Sequence, residues 1–306
     1  MAILIIKHSA LGDMILALPL FRAIRQHHDG ERIVLLTTAA YADLVQRSGL
    51  VDEIWTDSRP KFWQPLKLFT LLRRIRRGGF SRIYDLQGSQ RTKSYYRLLG
   101  APADRWVGNA PGCRYYIPDP IEPVHIADLR RRQLALVGIP DPGLPDLDFL
   151  QGDIARFDLP GRFVLLVPGG APHRPAKRWP AERFAALACH LLAQGIVPVL
   201  IGRAAEQAEI SEIQAACPAA INLCDKTSLA DLASLGRVAA LCIGNDTGPM
   251  HVIAAARCPS LVLYSAESDP RKISPRGDWV RRLQRPSLQT LSVEDVIAAL
   301  PAITPI

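Results

Sequence analysis

Twice along this chain, short apolar runs alternate with longer stretches of helical periodicity, and this rhythm constrains the fold more than any single residue does. In the first half, strand-like runs at residues 3–6, 33–37, 53–55 and 82–86 are separated by helical stretches. One of these runs from the turn at 9–12 to about His27; the others cover 41–48 and 66–77. Strands joined through helices by short connections pair in parallel, which predicts a doubly wound sheet. Between residues 138 and 160, Pro140, Pro142, Gly143, Pro145, Gly152 and Pro160 break any periodicity and mark a linker. The pattern then restarts, with strands at 163–167, 197–201, 221–223, 240–243 and 261–264 and helices at 181–194, 204–216, 228–238 and 249–256. The fold class is therefore α/β, with two Rossmann-like domains, residues 1–152 and 153–306, expected to face each other across a central cleft.

Length and composition allow a large core, since 48% of the 306 residues are hydrophobic. The apolar start at residues 1–6 has no basic segment before it, and Lys7, His8 and Asp13 interrupt it, so it reads as a buried strand rather than a signal peptide. No apolar run approaches the roughly 20 residues of a membrane span, so any membrane association is expected to be peripheral. The six cysteines are scattered without a Cys-x-x-Cys pair and read as reduced, mostly buried thiols of a cytosolic protein, with no structural metal site expected. A net charge of +8 points to an anionic partner: nucleic acid, a phosphorylated substrate or a membrane surface. The absence of zinc-finger spacing and of an aromatic-rich RNA-binding motif argues against nucleic acid.

Three strand-to-helix turns carry residues suited to chemistry. Residues 242–251 read Cys-Ile-Gly-Asn-Asp-Thr-Gly-Pro-Met-His. There Asp246 or Thr247 can cap a helix, Gly248 admits a ligand close to the backbone, and Pro249 suits a first helical turn. Such a helix start offers N–H groups and a positive dipole to a diphosphate, although a capped structural turn has the same residues. His251 alone is more often a packed side chain than a ligand. In the loop 168–180, Gly169 and Gly170 allow close approach, and Lys177 and Arg178 place cations where a departing diphosphate could be neutralised. Arg174 reads as solvated. At the first turn, Leu11-Gly12-Asp13 puts a carboxylate at a helix start, where the dipole keeps it ionised. A lone Asp there usually caps the helix, but it also suits a base that acts late in a reaction. A fourth feature is the basic helix end of Arg73, Arg74, Arg76 and Arg77, preceded by Lys61 and Lys67. It is either a solvated, dipole-matched helix end or a contact for anionic lipid or a phosphorylated acceptor. Neither a Gly-x-Gly-x-x-Gly turn after the first strand nor a Walker A loop is present, which argues against Rossmann oxidoreductases and P-loop ATPases.

Taken together and in order, these segments resemble the ADP-heptose:lipopolysaccharide heptosyltransferases, glycosyltransferase family nine. The likeness rests on Leu11-Gly12-Asp13, the loop from Pro168 to Pro180, and the Gly-x-Asp-Thr-Gly-Pro-Met-His stretch from Gly244 to His251. Tyr84-Asp-Leu-Gln-Gly88 and the stretch from Asn222 to Leu229 add to it. The resemblance implies a GT-B fold and metal-independent, inverting transfer, with no cofactor beyond a nucleotide-sugar donor, ADP-heptose. It implies Asp13 as catalytic base and Lys177 as the group that binds the donor phosphates and stabilises the leaving nucleotide. Donor contacts implied are Gly12, Gly169, Lys177, Arg178, Asp246, Thr247, Gly248 and His251, with Glu206 on the ribose and Thr227 and Ser228 near the adenine. The first domain would then bind the acceptor and the second the nucleotide sugar. The partners implied are an anionic glycolipid acceptor (lipid A and core) and, through Arg73, Arg74, Arg76 and Arg77, the cytoplasmic face of the inner membrane, with no nucleic acid. His8-Ser9-Ala10 departs from the family's usual Ser-Ser pair, which is expected to alter phosphate or sugar contacts, and residues 87–105 have their own pattern on the acceptor side. Two other classes stay open from the residues: a sugar-nucleotide epimerase or hydrolase on the same scaffold, and a non-catalytic nucleotide-binding regulator.

Overall fold

The structure, a computed structural model, describes residues 1–60, 63–171 and 173–301, so Lys61 lies outside the described residues. The chain divides into two compact units, Met1–Pro145 and Asp146–Ile306.

The first unit contains β1 (Ala2–Ile6), α1 (Leu11–His27), β2 (Arg32–Thr37), α2 (Ala42–Ser48), β3 (Glu53–Thr56), α3 (Pro65–Arg77), β4 (Arg82–Asp85), α4 (Gln90–Leu99), β5 (Trp106–Gly108), β6 (Tyr115–Tyr116) and α5 (Ile126–Ala135). Its six strands are all parallel, in the order β3-β2-β1-β4-β5-β6. The second unit contains β7 (Phe163–Val167), α6 (Ala181–Ala193), β8 (Val197–Leu200), α7 (Gln207–Ala216), β9 (Ile221–Asn222), α8 (Leu229–Val238), β10 (Leu241–Asn245), α9 (Gly248–Ala255), β11 (Ser260–Tyr264), β12 (Val280–Gln284) and α10 (Val293–Ala299). Its sheet is also parallel and runs β12-β11-β10-β7-β8-β9. Both sheets are thus six-stranded, with the unit's first strand third or fourth from the edge, the doubly wound arrangement expected from the alternating pattern.

Continuous apolar strands form because both faces of each sheet are covered. Leu4 and Ile6 of β1 join a core cluster with Ile75 of α3 and Tyr95 and Leu99 of α4, while Ile3 and Ile5, equally inaccessible, point to the opposite face. In the second unit, Val164, Leu166, Ile243 and Leu263 pack with Phe184 of α6 and Val296 of α10. Each such side chain contributes about 1.5–3 kcal/mol of burial. That is enough to carry α1 through Pro19, which lies inside the helix and lacks the N–H for one helical bond.

The division falls earlier than the sequence boundary at 152. Residues 146–152 belong to the second unit because α8 holds them: Arg237 donates to Leu150 O at 3.0 Å, and Ser234 Oγ accepts the Gly152 N–H at 2.9 Å.

Candidate active site

In a doubly wound sheet, ligands bind beyond the carboxyl ends of the strands, where the strand order reverses. That switch point lies between β1 and β4 in the first unit and between β7 and β10 in the second. All three turns singled out in the sequence come directly after these strands.

At β1/β4, Asp13 stands in the first turn of α1. Its Oδ2 accepts the N–H of Ala10 at 3.1 Å, so one oxygen does cap the helix. The other, Oδ1, lies 3.9 Å from the ammonium of Lys7, and the Asp13 side chain remains 24% exposed while Lys7 is only 5% exposed. Gly12 beside it is buried. Gln87, just past β4, clamps the turn by accepting the His8 N–H through Oε1 at 2.9 Å. From α5, the buried Arg130 reaches Gln87 O at 3.2 Å and Gln133 Oε1 at 2.7 Å. Gln133 in turn donates to Asp85 O and Val107 O, lacing α5 to the ends of β4 and β5. Gly88 is required here, since its φ is +61° and an added Cβ would lie 2.2 Å from Arg130 Nη2. Burial raises the Asp85 carboxyl above its ordinary value, against the pull of the Gly88 N–H and Arg130.

His8 points into the core. Its Nε2 is 3.0 Å from Asp57 Oδ2, which also accepts the Tyr95 hydroxyl at 2.7 Å. Burial acts to raise the Asp57 carboxyl, but hydrogen bonds from His8 and Tyr95 outweigh it and hold the group below its usual range. The departure at His8 therefore joins the end of β1, through Asp57 just past β3, to Tyr95 of α4.

At β7/β10, Lys177 Nζ meets Asp246 Oδ2 at 2.6 Å, and Ser268 Oγ donates to the same oxygen at 2.7 Å. Asp246 is thus engaged with Lys177 rather than capping α9; Thr247 takes the N-cap position in extended backbone, without a side-chain cap bond. Gly248 and Pro249 open α9. Arg178 holds its loop by donating to Gly170 O at 2.6 Å and pairing with Glu209. A cavity of about 130 Å³ is lined by Gly169, Gly170, Arg203, Glu206, Thr227, Thr247 and Pro249, among others. Glu206 Oε2 accepts the Arg203 N–H at 2.8 Å. Ser228 is outside the cavity wall and caps α8, accepting the Asp231 N–H at 3.1 Å. His251 is buried in α9, also away from the wall.

The family model for glycosyltransferase family 9 (heptosyltransferase) matches residues 125–295, more than half of the chain. The chain belongs to glycosyltransferase family 9. Over 300 residues it is 28% identical to lipopolysaccharide heptosyltransferase 2 of Escherichia coli K12, covering 88% of this chain and 84% of that protein. It is 36% identical to lipooligosaccharide heptosyltransferase 2 of Haemophilus influenzae over 114 residues, a match spanning only 33% of that relative. The solved structure of E. coli ADP-heptose LPS heptosyltransferase II superposes with a TM-score of 0.74 at 26% identity, covering 99% of this chain and 98% of that one. The two parallel-sheet units are accordingly those of a GT-B glycosyltransferase.

Within this family 9 enzyme, each unit gathers its own set of expected residues, Gly12 and Asp13 in the first and Gly169, Lys177, Arg178, Glu206, Thr227, Asp246, Thr247 and Gly248 in the second. The α3 arginines lie elsewhere in the first unit. Arg74 stacks on Trp55 at 4.1 Å and Arg76 donates to Leu99 O at 2.7 Å; Arg73 and Arg77 are exposed. Sequence reasoning missed Lys7, Arg130 and Asn245. The fully buried Asn245 accepts the Trp179 N–H at 3.0 Å and donates to Pro168 O at 2.6 Å, joining two of the ligand-side loops. Its place between the apolar end of β10 and Asp246 was the available signal.

Proposed function

We propose that this glycosyltransferase moves a heptose, or a related sugar, from ADP-heptose to a lipopolysaccharide core acceptor, with inversion at the anomeric carbon and without a metal. The reading rests above all on Asp13: a partly exposed carboxylate at the β1/β4 switch point of a family 9 chain, fixed by one oxygen and open at the other. In the reaction, an acceptor hydroxyl oxygen bonds to the anomeric carbon as the bond from that carbon to the diphosphate oxygen breaks. Asp13 takes the hydroxyl proton, and ADP leaves with the bonding pair. Lys177 neutralises the charge that develops on the diphosphate. Its contact with Asp246 supports this role, because an ammonium already held by a carboxylate beside a helix start is oriented to receive a second anion. The cavity of the second unit takes the nucleotide, with Glu206 toward the ribose and Thr227 toward the base.

The same reading puts the enzyme at the cytoplasmic face of the inner membrane. No helix of the described residues is long and apolar enough to cross a membrane. Trp63, Leu66 and Phe69 are 73%, 80% and 62% exposed, on and just before the helix that ends in the α3 arginines, a combination suited to an anionic bilayer surface.

A thermal-shift panel of ADP, UDP, GDP and CDP tests the donor, with ADP at 100 times its Kd expected to stabilise by about 2.7 kcal/mol. A UDP shift without an ADP shift would refute the donor assignment. Incubation of ADP-heptose with a deacylated core acceptor, after EDTA treatment, is expected to give the inverted product at an unchanged rate, and ADP release without acceptor would favour a hydrolase instead.

A further inference from the structure

Lys7 is the most anomalous charged side chain in the first unit. Its ammonium is buried at the end of β1 and, among the described residues, donates no hydrogen bond; the only carboxylate within 4.0 Å is Asp13. A buried charge without hydrogen bonds is costly to keep. Arg130, equally buried on α5, borders the same small recess as Asp13 and Lys7, together with Leu16 and Leu86. Asp13 therefore stands partly in solvent over a floor of two fixed cations.

We propose that Lys7 is the positioning residue of the Asp13 base: with Arg130 it holds the carboxylate in place and aimed at the acceptor hydroxyl. This rests on the reading of Asp13 as the base. A fixed charge in a poorly solvated wall stabilises an anion without reorganising during the reaction, which a surface lysine does not do. The groups facing Lys7 are Asp13 on α1, Asp85 at the end of β4 and Arg130 on α5; burial outweighs the two carboxylates and, aided by Arg130, holds the ammonium down to about 8. Lys7 therefore loses its charge as pH rises through about 8, and the transfer rate falls with it. The stability effect has the opposite sign. The unfolded chain keeps the proton up to about 10.5, so the charged lysine penalises the fold fully below pH about 8, and the penalty fades between about 8 and 10.5.

The test is steady-state transfer from ADP-heptose to a deacylated core acceptor between pH 6 and 10, for wild type, Lys7→Met, Lys7→Arg and Asp13→Asn, with melting curves and ADP binding. Lys7→Met is expected to lower kcat about 10- to 100-fold with ADP affinity unchanged, and to lose the alkaline limb near pH 8. It is also expected to melt at a higher temperature at neutral pH, the reverse of what removing a purely structural ion pair does. Lys7→Arg is expected to regain part of kcat without that limb. Wild-type kcat and pH profile in Lys7→Met, with Asp13→Asn inactive, would overturn the role of Lys7 and leave the base in place. An active Asp13→Asn would overturn both. A wild-type rate that stays flat from pH 7 to 10 would overturn the proposal even if no Lys7 variant folds.

Discussion

At the switch point of the second unit the charges come in partly exposed pairs, Lys177 with Asp246 and Arg178 with Glu209. At the switch point of the first unit, Lys7 and Arg130 are buried cations beside Asp13, and the Lys7 contact is loose at 3.9 Å. Both units are six-stranded parallel sheets with the same kind of switch point, so the difference does not come from the fold. It comes from the side chains on the turns beyond the strands. The Lys177–Asp246 pair lies at the edge of solvent, where the proposed diphosphate would join the carboxylate on the ammonium. Buried cations cannot move with a ligand and serve instead as a standing field on one carboxylate. The second unit keeps its cations paired at the edge of solvent, and the first keeps them behind Asp13.

Removing the charge that the first unit holds is the most severe way to break this contrast. Asp13→Asn is expected to reduce kcat by about 1000-fold while ADP binding, measured by calorimetry, stays as in wild type. Transfer within a few-fold of wild type would remove Asp13 as the base. Lys177→Met attacks the second unit and is expected to cost about 100-fold in kcat and, unlike Asp13→Asn, to weaken ADP binding as well. If ADP affinity did not move, Lys177 would belong with Asp246 as a structural pair.

The scaffold beneath each turn can be compared by adding one methyl group. Gly244→Ala would put a Cβ 2.6 Å from Val167 Cβ and 2.8 Å from Val167 O, pressing β10 against β7. A loss of about 3 kcal/mol in urea unfolding is expected. Gly88→Ala meets a movable guanidinium, but at φ +61° it strains the backbone, and a loss of about 1–2 kcal/mol is expected. Because it displaces Arg130, it should also lower kcat, which Gly244→Ala at a temperature where it is folded should not do to the same degree. The smallest effect is on the surface. Arg73→Ser and Arg77→Ser should each weaken flotation with anionic vesicles by about 1 kcal/mol and leave transfer to a soluble acceptor unchanged. Equal binding to neutral vesicles would shift the weight to Trp63, Leu66 and Phe69.

Much of the strand and helix order could be read in the residues, because continuous apolar runs and helical periodicity are properties of neighbours in sequence. What escaped has a physical cause. Helices α4 and α5 bury Lys93, Arg130 and Gln133 on their inner faces, so polar residues stand where an apolar stripe would be expected. Strands β5 and β6 have three and two residues, too few to show alternation. Edge strand β12 contains Arg281 and Arg282, both exposed. Five of the six cysteines are buried as expected, with Cys189 the exposed one.

Neighbouring residues alone were enough to specify two parallel α/β units and the turns on which Asp13, Lys177 and Asp246 stand, since a strand-to-helix turn and its cap are built from adjacent positions. The partners those residues meet depend on how the chain folds back on itself. Lys177 and Asp246 are separated by 69 positions and touch because β7 and β10 are neighbours in the sheet. Lys7 and Arg130 converge on Asp13 because α5 returns across the ends of β4 and β5, and their charges are held in place by burial that no local run of residues specifies.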